Sequence, residues 1–189
     1  MKMSAVKRTV ICSACVALCV IVPMAFHVIP NAGAVFLPMH IPVLLCGLIC
    51  GWQYGLVCGL IGPLLSSLLT GMPPAAMLPS MIVECGVYGC SCGLMMALVH
   101  TGRLSADLYL SLPTAMLLGR VLSGISKALI FAPDTSLAAW VTASFVTSLP
   151  GIVIQLILLP VIIAALMRAG VIPQRYCAEN AGTAHAQEA

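Results

Sequence analysis

Six apolar runs, each close to or beyond the length of a membrane-crossing helix, fill most of this chain: 9 to 26, 38 to 52, 54 to 71, 80 to 100, 108 to 131 and 141 to 167. A hydrocarbon core of about 30 Å is crossed by about 20 helical residues. The second run, "PMHIPVLLCGLICGW", is the shortest and is entered through two prolines. Between the third and fourth, "MPPAAMLP" reads as a turn, because prolines at 73, 74 and 79 cannot all sit in one regular helix. The fifth run is interrupted by Pro113 and the sixth by Pro150 and Pro160. With 61% hydrophobic residues and 7% charged, lipid is the expected solvent. Lipid satisfies no exposed peptide group, and no alternating strand pattern suggests a barrel. The expected fold is therefore all-α, a single six-helix membrane bundle over 9–168, preceded by a short segment 1–8 and followed by a loose polar tail, 169–189.

The few charges set the expected orientation. Lys2, Lys7 and Arg8 precede the first helix, Arg103 lies between the fourth and fifth, and Arg168 and Arg175 follow the sixth, all on one side. The opposite connections, "HVIPNAGAVFL", "MPPAAMLP" and "APDTSLAAW", hold no Lys or Arg, so the positive-inside rule places both termini in the cytoplasm. The net charge of +3 reads as topology, with no basic patch for nucleic acid. A competing reading takes the first run as a cleaved signal peptide, since a positive start, an apolar stretch and "NAGA" loosely fit. Cleavage would leave five helices and spoil the charge asymmetry.

Ten cysteines, including "CSAC" and "CSC", invite a metal or redox reading. Seven of them, from Cys12 to Cys85, lie within apolar runs, where a thiol acts as a small hydrophobe that lets helices approach. Zinc would need ligand pairs converging from two segments with His or carboxylate help, so no metal site is expected.

Charges inside the runs are the candidate functional groups, because an ionisable residue in a membrane normally faces the bundle interior and pairs or marks a substrate path. Arg120 and Lys127 in "LLGRVLSGISKALIF" are two turns apart on one face, with Ser123 between them. Glu84 on the fourth run shares the depth of Lys127, with Tyr88 one turn further on, and so offers to neutralise one of the two cations. Arg120, near the midplane, then lacks a carboxylate partner, and a ligand would complete it. The bland alternatives are that Lys127 snorkels to water and that Arg120 bonds carbonyls freed by proline. Asn31 in the first connection, His40 at the start of the second helix and Gln155 in the sixth add polar groups at the same level. Together they outline a pocket suited to a small polar metabolite.

The string "PMHIPVLLCGLICGWQYGLVCGLIGPLLSSLLTGMPP", followed by "ECGVYG" and "LLGRVLSG", resembles the substrate-binding S component of energy-coupling factor (ECF) transporters over roughly residues 9 to 168. The resemblance implies a multi-pass protein of a bacterial-type plasma membrane. Its substrate would be a small vitamin or vitamin precursor, anionic or polar and pantothenate-like, bound by Arg120, Lys127, Glu84, His40, Asn31, Gln155 and Tyr88 and covered by the connection 27 to 38. It also implies a transmembrane coupling (T) subunit and two cytoplasmic ATPase subunits as partners, with no cofactor in this chain: ATP would be used by the ATPases. No "GxxxxGK[ST]" loop occurs here, so the chain is expected not to be an enzyme. The family docks its coupling subunit on small residues four apart on helix one, usually two alanines, and the matching place here reads Ser13 to Ala17, a departure that keeps the smallness. Two other classes stay open: a stand-alone small-metabolite permease, which often shows an inverted repeat, and an intramembrane enzyme or thiol-redox protein, for which Ser66 and Ser67 have no neighbouring base.

Overall fold

In a hydrocarbon solvent the peptide groups have only one another as partners, and every regular element among the described residues of the computed structural model is helical. The structure describes residues 3–25, 32–128 and 137–173. The elements are α1 (Ala5–Ala25), α2 (Ala32–Phe36), α3 (His40–Cys50), α4 (Trp52–Thr70), α5 (Leu78–Leu98), α6 (Leu104–Ser126), α7 (Leu137–Val141), a π-helical stretch (Thr142–Thr147) and α8 (Leu149–Arg168). Five of these, α1, α4, α5, α6 and α8, are long and apolar enough to cross a membrane. The second apolar run forms α3, whose 11 residues reach about 16 Å, roughly half of a hydrocarbon core.

Prolines act differently from place to place. Pro113 sits inside α6 without ending it, and Pro160 does the same in α8. Pro150 occupies the first turn of α8, where its missing N–H would have had no intrahelical partner. The sixth run is consequently not one helix: α7 and the π-helical stretch end at Ser148, and α8 starts afresh after it.

Small residues decide how the helices pack. The central pair is α4 and α5, with α3 and α6 also against α5 and α1 against α3 and α4. A methyl group on Gly89 would collide with the Gly55 carbonyl, one on Gly59 with the Cys85 carbonyl, and one on Gly93 with the backbone of Gly51 and Trp52. The paired spacings Gly55/Gly59 and Gly89/Gly93 thus bring two backbones into direct contact, as small-xxx-small faces do in lipid. Gly51, at φ +95, turns the chain between α3 and α4 in a single residue and brings Gly47 against Gly55. Buried free thiols fill the same seams: Cys12, Cys15 and Cys19 from α1, Cys46 and Cys50 from α3, Cys58 from α4, and Cys85 and Cys92 from α5. Among the described residues no group of three His, Cys, Asp or Glu side chains is placed to hold a metal. Large side chains face outward instead, as with Ile61, Leu64 and Leu68 on α4 and Leu117, Val121 and Ile125 on α6.

Candidate functional site

A closed circuit of polar contacts lies beneath the end of the bundle that carries α2, residues 71–77 and the π-helical stretch. It starts on α5, where Glu84 uses both carboxylate oxygens: Oε1 accepts from the Tyr88 hydroxyl at 3.1 Å and Oε2 accepts from Ser123 Oγ of α6 at 3.3 Å. His40, in the first turn of α3, places Nε2 at 3.6 Å from Glu84 Oε1, an ion pair when the imidazole is protonated. Its ring also packs on Tyr88, with centroids 5.0 Å apart. Tyr88 is fully buried, and Gly119 of α6 leaves the space its ring occupies.

One turn from Ser123, Arg120 is 3% exposed and donates from Nη1 to Ser148 Oγ at 2.8 Å. The Ser148 hydroxyl donates in turn to the Ser144 carbonyl. The ring of Phe145 lies 5.7 Å from Arg120 Cζ, within cation–π range. From Ser148, α8 leads two turns on to Gln155, which is fully buried and donates from Nε2 to the Leu37 carbonyl at 3.3 Å. Leu37 O also accepts from the His40 backbone N–H, which closes the circuit. Gly151 lets α8 press against the backbone of Val35 and Phe36, so α2 and the residues after it are held over the same end.

Five buried polar atoms of this circuit have no hydrogen-bond partner among the described residues: Arg120 Nε and Nη2, both ring nitrogens of His40, and Gln155 Oε1. An unpartnered buried donor or acceptor costs about 1–3 kcal/mol, and more when charged. Native structures tolerate such groups where function requires them. The set combines donors at Arg120, an acceptor at Gln155 and an imidazole, chemistry suited to holding a small polar molecule by complementary hydrogen bonds.

Of the residues singled out by sequence, the structure gathers His40, Glu84, Tyr88, Arg120 and Gln155. Lys127 caps α6, is partly exposed, and makes no ion pair among the described residues. The basic side chain within ion-pair distance of Glu84 is His40, although depth alone put Lys127 level with it. Asn31 lies outside the described residues. Ser13 and Ala17 are exposed on the side of α1 away from Cys12, Cys15 and Cys19. Sequence reasoning missed Ser148 and Phe145, which flank the break before α8 and hold Arg120 in place. Pro150 was the available signal, since a proline at the start of a helix marks what precedes it as a cap or turn. A separate concavity of about 320 Å³ opens at the opposite end, around Arg8, Cys50 and Gln53, and shares no residue with the circuit.

Comparison with known proteins gives one family: the profile described as "ECF transporter, substrate-specific component" matches residues 7–163. No curated protein matches the chain.

Proposed function

The chain belongs to the substrate-specific components of ECF transporters, and from that premise we propose that it captures a small vitamin or vitamin precursor, anionic or polar, for import. The family is a transporter component and not an enzyme. The observation that carries the proposal is Arg120, buried with two unpartnered N–H donors inside the circuit of Glu84, His40, Tyr88 and Gln155. In this reading both termini face the cytoplasm, α3 with its entry segment serves as a sixth, short membrane element, and the site opens to the outside of a bacterial plasma membrane. Lys127 stands at the mouth, and residues 27 to 38, Asn31 among them, close over the substrate. A transmembrane T subunit docks on Ser13 and Ala17, and two cytoplasmic ATPases supply the energy. What supports this docking face is that small side chains stand exposed on α1, where close helix approach depends on van der Waals fit.

Thermal melting of the detergent-purified protein against a panel of vitamins and precursors tests the reading. A ligand at a hundred times its dissociation constant adds about 2.7 kcal/mol of stability. One panel member should raise the melting temperature of the wild type, and Arg120→Ala should abolish the rise while still inserting in the membrane. Co-expression with the cognate T and ATPase subunits should yield a complex; purification alone together with transport independent of nucleotide would point to a stand-alone permease instead.

A further inference from the structure

Which edge of the Arg120 guanidinium is free determines what can bind it. A guanidinium presents two N–H groups side by side along its Nε/Nη2 edge, a rigid fork whose spacing matches the two oxygens of a carboxylate. In this chain the opposite nitrogen, Nη1, is committed to Ser148 Oγ at 2.8 Å, and that hydroxyl is itself fixed by its bond to the Ser144 carbonyl. The Phe145 ring lies 5.7 Å from Cζ. Nε and Nη2 are the two Arg120 nitrogens left without a partner among the described residues. The side chain is therefore held at its far end, with its two-pronged edge unspent.

We infer that the substrate is a monocarboxylate and that Arg120 grips its carboxylate through the Nε/Nη2 fork, with Ser148 and Phe145 as positioning residues. This rests on the proposed function and narrows it. A phosphate ester would also fit a fork, but Glu84 already brings one carboxylate into the circuit, bonded to Tyr88 and Ser123. A dianion would add two more negative charges beside it, whereas a single carboxylate adds one and matches the two-pronged edge with its two oxygens. A cationic vitamin is disfavoured by the same arginine, and a neutral one would meet the two parallel N–H donors with a weaker, uncharged acceptor. The second end of the molecule would meet Gln155 Oε1, an acceptor, so a carboxylate carrying an N–H or O–H donor fits the circuit best.

The test uses the full chain, produced in minimal medium, and the small-molecule fraction of yeast extract as the probe, before and after methyl esterification of its acids. The untreated fraction should raise the melting temperature and the esterified fraction should not. Arg120→Lys keeps the charge but has no fork, so its half-maximal response should require about tenfold or more of the untreated fraction. Ser148→Ala should weaken binding in the same direction by freeing the guanidinium. Stabilisation that survives esterification overturns the carboxylate assignment and leaves the substrate-capture reading standing. Failure of both fractions to stabilise the wild type overturns both. Prior phosphatase treatment of the fraction should leave the response unchanged, and its loss there would assign the fork to a phosphate and overturn the inference. Should Arg120→Lys fail to fold, the esterification arm on the wild type still decides.

Discussion

At the scale of single residues, Glu84 is the hinge of the site, because three side chains from three helices depend on it: His40 of α3, Tyr88 of α5 and Ser123 of α6. Glu84→Ala takes the carboxylate from all three, leaving Ser123 only the Ser80 carbonyl, and should cost about 3–5 kcal/mol, the range for breaking a buried pair by removing one partner, read as a lowered melting temperature without ligand. Lys127→Ala should barely move that temperature, since Lys127 makes no ion pair among the described residues. Depth along the membrane was readable in the sequence, and it put Arg120, Glu84 and Gln155 at the same end. Partnership was not readable, because two residues at one depth on neighbouring helices meet only if both helices turn those faces together. His40 and Lys127 were both within reach of Glu84 on depth alone, and helix rotation chose the imidazole. Gly119 shows how tight that choice is: a methyl group there would overlap the Tyr88 ring. Gly119→Ala should destabilise by about 1–3 kcal/mol and weaken ligand binding, as Tyr88 is pushed off Glu84; the two effects are separable by melting with and without ligand.

At the scale of elements, two kinds of small-residue face do different work. The glycines of α4 and α5 are consumed inside the bundle. Gly89→Ala, which meets the Gly55 carbonyl, should cost about 1–3 kcal/mol, whereas Gly86→Ala, whose neighbours are the flexible ends of Leu60 and Leu56, should be tolerated. Melting temperatures of the two variants side by side check the contrast. Ser13 and Ala17 of α1 are exposed. Ala17→Leu should leave the melting temperature and ligand response as in the wild type while abolishing co-purification of a coupling subunit. The sequence reading marked the α1 pair and passed over the α4 and α5 glycines, although all share the same spacing of four. Spacing identifies a face suited to close approach; it does not say which neighbour approaches.

At the scale of the whole molecule, the proposed orientation predicts which ends are accessible. In intact cells an impermeant thiol reagent should label Ala75→Cys, in the turn between α4 and α5, and spare Gly102→Cys, between α5 and α6; both should react once the membrane is dissolved. The reverse pattern would place the site on the cytoplasmic side and remove capture from outside.

The sequence alone determined the solvent, the helical class and the ends at which polar groups gather, because hydropathy and length report how a segment sits along the membrane normal and because lipid permits few backbone solutions. It showed little of which face of each helix turns inward. In water a helix buries its apolar stripe, but here lipid and protein interior are equally apolar, and the large aliphatics of α4 face out while its Gly, Cys and Ser face in. The tertiary structure decided that Glu84 meets His40, that the sixth run breaks at Ser148, and that Ser148 takes one end of Arg120. The first and last are contacts between segments far apart in the chain, which no local pattern of hydrophobicity records; the break had Pro150 as its one local sign.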